Sequence, residues 1–216
     1  NSISYTLPIA EQWSFTGSFG YSRRNLIELP APNDGLATHQ FQGLVQLEWV
    51  FQESLTQQWN LFAGFSSNHS NTYLNGHTLR NQLPESVSSP SSGYVRVGVS
   101  GNGLSGPVAW GTNAYLLQGI AAATPIQQRE ELAAADIRPG EATAIGALLS
   151  MGWALTPGLL LSARAAGQVA LAPLSNPMQF TVGSDAGIRG LPGQLISGDN
   201  GWLGAAELTW TVWRLC

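Results

Sequence analysis

A side-chain alternation with a period of two, sustained over long stretches, constrains this chain more than any other feature. Between residues 12 and 22, large apolar side chains such as Trp13 and Phe15 fall on one face and small polar ones on the other. Residues 40–52 repeat the pattern, with Phe41, Leu47 and Trp49 sharing a face. Because side chains alternate across an extended strand, this pattern predicts β-strands with one apolar and one polar face.

We predict nine such strands, and several reach ten residues or more, about the length that a tilted strand needs to cross a bilayer. Short turns and long loops alternate between them. Soluble domains rarely hold several structureless loops beyond about 12–15 residues, whereas outer-membrane barrels alternate in this way. The predicted turns are 8–11, 53–57, 101–107 and 156–158, and the predicted loops are 23–39, 68–93, 120–142 and 171–201.

The composition agrees with a membrane β-barrel. Hydrophobic residues make up 44% of the 216 residues and charged residues only 10%, which is low beside the roughly 25% of soluble domains. No stretch approaches the roughly 18 apolar residues of a membrane helix. The net charge of −4 argues against a nucleic-acid surface, and the single Cys216 excludes a disulfide framework. Since the chain starts without Met and ends abruptly, we interpret it as a fragment.

Two further patterns fit this interpretation. Most of the eight tryptophans lie near predicted strand ends, as in the aromatic girdles of barrels, although tryptophans also pack soluble β cores. The predicted polar face carries side chains suited to a wet lumen or to the open face of a soluble sheet: Gln42, Gln46, Glu48, Asn60, Arg96, Asn113, Arg164, Gln168 and Glu207. Residues 127–135 are good helix formers inside a loop.

No constellation typical of an enzyme emerges. His39, His69 and His77 fall in predicted long loops without carboxylates at metal-ligand spacing, so we predict no metal site and no cofactor. Asp185, Asp199 and Glu207 are acidic residues near Arg189 that could form a catalytic carboxylate pair of the kind found in glycosidases. Asp199, however, lies in a Ser-Gly-Asp-Asn-Gly stretch typical of a turn. We therefore expect neither catalysis nor a small-molecule substrate.

One glycine-rich loop stands out, because a single arginine lies among its glycines and a Ser-Gly-Asp-Asn-Gly segment follows it. Glycines permit tight and left-handed turns, and an arginine held there can pair with a carboxylate. The residues of this predicted loop site are Gly183, Ile188, Arg189, Gly190, Leu191, Gly193, Gly198, Asp199 and Gly201.

Ile188-Arg189-Gly190-Leu191 resembles the Val-Arg-Gly-Tyr/Phe signature of two-partner secretion transporters, which are outer-membrane pores of type V secretion. The segments 197–201 and 206–208 are also similar to this family. Leu191 replaces the aromatic residue of the signature, so an aromatic contact at the loop tip is not predicted. Over residues 183–208 the resemblance rests on specific motifs, whereas elsewhere it rests only on the pattern of strands and loops.

The resemblance implies an all-β, antiparallel transmembrane barrel of about 16 strands, of which this chain supplies about nine. Residues 1–216 would be a partial C-terminal barrel domain, from the fourth strand to the twelfth, with two periplasmic POTRA domains and the last strands outside it. The signature loop would fold inward between the eleventh and twelfth strands. Arg189 would pair there with an acidic residue of the wall, and Glu207 is the best partner within this chain.

The implied function is export of a large unfolded partner protein, such as an adhesin or haemolysin, across a bacterial outer membrane. The implied partners are that secreted protein and the lipid bilayer, without nucleic acid. Two other functions stay open at this point: a barrel-assembly insertase of the same superfamily, and a soluble β-sandwich binding module. A carbohydrate-active β enzyme would require a carboxylate pair across a cleft.

Overall fold

The computed structural model describes residues 1–25, 35–79, 82–182 and 196–211. Nine long strands follow one another along the chain: β1 (Ser2–Ala10), β2 (Trp13–Asn25), β3 (Leu36–Glu53), β4 (Gln57–Leu74), β6 (Ser91–Ser105), β7 (Val108–Gly119), β8 (Thr143–Thr156), β9 (Leu159–Ala170) and β12 (Gly201–Trp210). The remaining elements are short: β5 (His77–Thr78), α1 (Glu85–Ser88), α2 (Ile126–Ala133), β10 (Phe180–Val182) and β11 (Ile196–Gly198).

The nine long strands form one antiparallel sheet in chain order, and every neighbour is also the next long strand in sequence. Strand β5 pairs with the end of β4, while β10 and β11 form a separate two-stranded hairpin. The prediction of nine antiparallel strands is therefore confirmed. The helix predicted within 127–135 is confirmed as α2.

The register places the two kinds of side chain on opposite faces of the whole sheet. One continuous row crosses eight strands on the apolar face: Leu7, Phe15, Leu47, Ala63, Val97, Leu116, Ile145 and Val169. The adjacent row on the other face is largely small or polar: Thr6, Thr16, Gln46, Gly64, Arg96, Leu117, Ala144 and Ala170. The alternation seen in single strands thus extends across the sheet.

Burial is inverted relative to a water-soluble domain. Large side chains of the apolar face are exposed, among them Ile3 at 77% and Trp210 at 71%. In the described ranges, the buried hydrophobic cluster instead lies at the polar face, where Leu117, Ala142 and Ala144 meet Leu174 and Met178 of a loop. No helix among the described residues is long and apolar enough to span a membrane.

Tryptophans collect at one end of the sheet, beside the short turns. Trp13 stacks on Trp49 with ring centroids 5.7 Å apart, and Trp59 lies 5.4 Å from Trp110. Trp153 and Trp210 lie at the same end, next to the turn between β8 and β9. Trp202 lies at the opposite end, and Trp213 is outside the described residues. Six of the eight tryptophans therefore form a belt at the short-turn end.

The strands extend further at the long-loop end than the sequence predicted. His39 lies in β3, His69 in β4 and His77 in β5, so their assignment to loops was wrong. Residues 66–74 keep backbone pairing with β3 although their sequence is almost entirely polar. Alternation marks only the part of a strand that has one apolar face, whereas hydrogen bonding between backbones needs no such pattern.

Candidate functional site

The connection between β9 and β12 is the longest in the chain, and its base lies against the polar face of the sheet. Leu174 and Met178 are each 2% exposed, because they pack on Leu117 and Ala144 of that face. Burial of such side chains is worth about 1.5–3 kcal/mol each. The two ends of the loop then pair as β10 and β11. The loop base is thus fixed over the polar face.

Gln168 of β9 ties this loop base to the sheet. Its side chain is 5% exposed and its Nε2 donates to the carbonyl oxygen of Met178 at 2.9 Å and to that of Asp199 at 3.3 Å. One amide therefore bridges the outgoing and returning arms of the loop. Leaving such buried carbonyls without a donor costs about 1–3 kcal/mol.

Asp199 and Asn200 close the loop from the other side. The Asp199 Oδ1 accepts a hydrogen bond from Gln179 Nε2 at 2.9 Å, and the Asn200 Oδ1 accepts one from the Ala170 backbone N–H at 2.7 Å. Asp199 had the local signature of a turn, and it does lie in a bend between β11 and β12. Its carboxylate, however, binds across the loop.

Three residues of the predicted loop site lie in this base. Gly198 is in β11 opposite Phe180, Asp199 accepts from Gln179, and Gly201 begins β12 beneath the Phe180 ring. The other predicted residues lie outside the described part of the chain: Gly183, Ile188, Arg189, Gly190, Leu191 and Gly193. The structure therefore brings together the returning arm of the predicted site and leaves its tip untested.

Glu207 lies on the polar face of β12, opposite Ser162 of β9. Arg164 is its diagonal neighbour on the same face, since Arg164 pairs with Ala205. Glu207 and Arg164 line one groove of about 1090 Å³. The predicted lumen partner is thus on the predicted face, with an arginine already beside it.

Arg96 of β6 is held by aromatic rings on the polar face. Its guanidinium lies 4.2 Å from the ring centre of Tyr115 and 5.1 Å from that of Phe62, within cation–π range. Its Nη2 donates to Asn113 Oδ1 at 2.7 Å, whereas its buried Nε has no partner among the described residues. Arg96 is therefore fixed in position with hydrogen-bonding capacity left over.

A half-open cavity of about 750 Å³ lies between the loop base and the sheet. Arg96, Arg164 and Tyr115 line it from the sheet, and residues 177–181 line it from the loop. The two charged side chains among its described lining residues are both arginines. The cavity therefore combines positive charge with aromatic walls.

A second cover lies over the polar face at the long-loop end, formed by α1 and α2. Gln128 of α2 is 2% exposed, and its amide bonds to the Ser89 carbonyl at 2.7 Å and the Ser91 N–H at 3.0 Å. The Glu131 carboxylate accepts N–H bonds from Ser86 at 2.7 Å and Glu85 at 3.2 Å. The hydrogen bonds from Ser86 hold the pKa of Glu131 below its usual range. These hydrogen bonds thus hold the connection between β4 and β6 against the connection between β7 and β8.

Sequence reasoning placed Gln168 on the polar face but missed its role and the roles of Leu174, Met178 and Gln179. A weak signal existed, since Leu117 and Ala144 are apolar residues on the face that carries the polar side chains, and such residues favour a cover. Nothing in the sequence indicated which segment supplies it. Within the described ranges no group of three or more His, Cys, Asp or Glu side chains is arranged to hold a metal ion.

Comparison with solved structures shows the same fold in two other proteins. CdiB from Escherichia coli superposes with a TM-score of 0.74 at 17% identity, covering 100% of this chain and 39% of CdiB. CdiB from Acinetobacter baumannii gives a TM-score of 0.74 at 17% identity, covering 98% of this chain and 36% of that protein. The chain thus spans less than two fifths of these structures, and its sheet is a fragment of a barrel wall.

Comparison with curated protein sequences gives no significant match. The family model for the haemolysin secretion/activation protein ShlB/FhaC/HecB, in contrast, matches residues 1–215. This confirms the predicted resemblance, and it supports the class of an outer-membrane β-barrel of two-partner secretion. The chain belongs to the haemolysin secretion/activation protein family ShlB/FhaC/HecB.

Proposed function

We propose that this chain is part of the wall of an outer-membrane pore that exports a large unfolded partner protein, such as an adhesin or haemolysin. The observation that carries the proposal is the loop base packed on the polar face, with Leu174 and Met178 buried there. A loop folded over that face narrows and shapes the path through a barrel. Export needs no chemistry on the partner, so the proposal assigns no catalytic residue.

The apolar face suits a lipid environment. From Trp49 to Phe41, β3 advances by about 27 Å, because an antiparallel strand rises about 3.4 Å per residue. A strand tilt of about 40° leaves about 20 Å along the membrane normal, close to the roughly 25 Å apolar band of outer-membrane barrels. The tryptophan belt marks one interface. We propose that this belt faces the periplasm, because the turns beside it are short.

We propose further that residues 1–216 supply the fourth to twelfth strands of a barrel of about 16. POTRA domains would precede this segment and further strands would follow it. Eight long strands precede residue 183 and one follows residue 195 in the described structure, as the fourth-to-twelfth assignment requires. The long connections, including 171–200, then face the cell exterior.

Arg189 is proposed to act as a structural latch at the loop tip. It lies midway between Val182 and Ile196, so an extended chain can carry it about 24 Å from the loop base. Glu207 lies about 20 Å down β12 from Gly201, where the loop base ends. Glu207 is therefore within reach as the acidic partner. In this mechanism the partner threads along the polar face while the latched loop shapes the conduit.

Neither alternative from the sequence is favoured. The β-sandwich is wrong, because no second sheet covers the apolar face of the described sheet and the family is one of secretion proteins. An insertase belongs to another branch of the superfamily. The number of POTRA domains encoded upstream separates the two: two domains favour secretion and about five favour insertion.

The test of the proposed function is Arg189→Ala in the full-length parent. We expect the barrel to insert and secretion of the partner to fall, since the loop tip loses its anchor. Arg138→Ala is the matched control, because Arg138 forms an exposed pair with Glu141 at 3.2 Å, away from this loop. Undiminished secretion by the Arg189 variant with intact insertion would refute the latch.

A further inference from the structure

The cavity of about 750 Å³ beneath the loop base is lined by residues that take no part in the proposed pair of Arg189 and Glu207. Two arginines, Arg96 of β6 and Arg164 of β9, line it from the polar face, and its described lining residues include no Asp or Glu. A guanidinium presents a planar fork of donors that matches a carboxylate. The cavity is therefore complementary to an acidic side chain.

Arg96 is prepared for such a ligand. Its ring contacts with Tyr115 and Phe62 fix the guanidinium plane, and Asn113 takes one donor of Nη2. The Nε is buried and has no partner among the described residues. Because the Nε is closed to solvent, an acidic ligand would bind the terminal nitrogens of this fixed guanidinium.

Arg164 adds a second positive charge on a different strand. It lines the cavity beneath the loop and also the neighbouring groove of about 1090 Å³ that contains Glu207. The two spaces therefore adjoin at Arg164. A chain moving along the polar face would pass from one to the other at this side chain.

We infer that Arg96 and Arg164 form a binding station for acidic side chains of polypeptide in transit. The inference rests on the proposed export function, and it names the chemistry of the segments that the conduit retains. Such a station binds weakly and repeatedly, because a partly exposed ion pair contributes only about 0.2–1 kcal/mol. Weak contacts suit a conduit, since they let the chain enter and also leave.

The experiment uses the purified full-length parent in planar bilayers, with two unstructured probe peptides. One is a Gly-Ser-Glu repeat and the other a Gly-Ser-Gln repeat of equal length. We expect the Glu peptide to block the current about two- to fivefold longer than the Gln peptide, the size of a partly exposed charge contact. That difference should disappear in Arg96→Gln/Arg164→Gln.

Controls separate binding from misfolding and from a failure of export. Arg164→Gln alone leaves the aromatic sandwich of Arg96 in place and should shorten the Glu blockades, with insertion checked by heat-modifiable migration. Arg138→Gln removes the same charge at an exposed site and should leave them unchanged. Current blocks of equal duration by the two peptides in the wild type would overturn the inference that Arg96 and Arg164 bind acidic side chains. A preference for the Glu peptide that persists in the double variant would overturn it as well. If the wild-type parent nevertheless secretes its partner in cells, the proposed function stands without it.

Discussion

At the scale of single residues, Gly98 allows the aromatic clamp on Arg96 to form. A Cβ placed on Gly98 would meet the Phe62 ring at 2.6 Å and would collide with the Ala114 carbonyl oxygen. We predict that Gly98→Ala destabilises the folded barrel by about 1–3 kcal/mol, the usual cost of overpacking. The measurement is the urea midpoint of heat-modifiable migration in the full-length parent.

Gly152 of β8 provides the matched control, because it lies on the same polar face of the sheet as Gly98 and a Cβ there meets nothing within 4 Å. Gly152→Ala should leave the midpoint unchanged. An equal loss in both variants would show that any side chain at a polar-face glycine disturbs the sheet, and the account of the clamp would fail.

Residue roles at the site were only partly predictable from the sequence. Alternation placed Gln168 and Glu207 on the polar face, since that assignment depends only on the strand period. The hydrogen bonds of Gln168 to Met178 and Asp199 depend on how a connection of about thirty residues folds back, which no local pattern encodes. The family signature supplied Gly198 and Asp199 without saying that they hold the loop base.

At the scale of elements, the clamp between α1 and α2 should respond to pH through Glu131. Hydrogen bonds from Ser86 lower the pKa of Glu131 in the folded state. The Glu131 carboxylate therefore stabilises the clamp fully at pH values above the ordinary carboxyl pKa, and this stabilisation is lost as the pH falls through the folded-state pKa. We predict that acidification below the ordinary carboxyl range exposes the segment around Ser86 to a protease that is active at both neutral and acid pH. Cleavage of the parent on whole cells measures this.

Glu131→Gln should show at neutral pH the cleavage that the wild type shows only in acid, because an amide cannot replace the charged acceptor of the Ser86 and Glu85 N–H groups. Glu130→Gln, on the neighbouring residue of the same helix, is the control. Cleavage of the wild type that is unchanged between neutral and acid pH would contradict this role of Glu131.

The extent of the strands was less predictable than their number. Apolar alternation identified nine strands because each long strand has one largely apolar face. Beyond the part of β4 with an apolar face, residues 66–72 are polar on both faces, yet they remain paired with β3. His39 and His69 were therefore assigned to loops although backbone hydrogen bonds hold them in strands.

At the scale of the whole molecule, the described sheet ends at β1 and β12 with no further strand paired to either. Open edges with unpaired backbone groups promote aggregation. We predict that residues 1–216 expressed alone do not form a functional pore. Planar-bilayer recordings of the isolated chain check this, with the full-length parent as control, and stable single-channel conductance from the isolated chain would show the prediction to be wrong.

The overall architecture was the most predictable level. Alternating short turns and long loops, a low charge content and uninterrupted two-residue periodicity all favour the same antiparallel barrel wall, and these signals add over the length of the chain. The covers over the polar face were not predictable, because α2 and the loop base dock through a few tertiary contacts such as those of Gln128 and Met178.

The most direct test of the account is a cross-link between the loop base and the wall. In the full-length parent with Cys216 replaced by Ser, Leu117→Cys and Met178→Cys place thiols on two residues of one buried cluster. We predict that a short thiol-specific cross-linker joins them in the folded barrel and that both are otherwise protected from a membrane-impermeant maleimide. Free labelling of both thiols in a folded, inserted barrel would contradict the inward position of the loop.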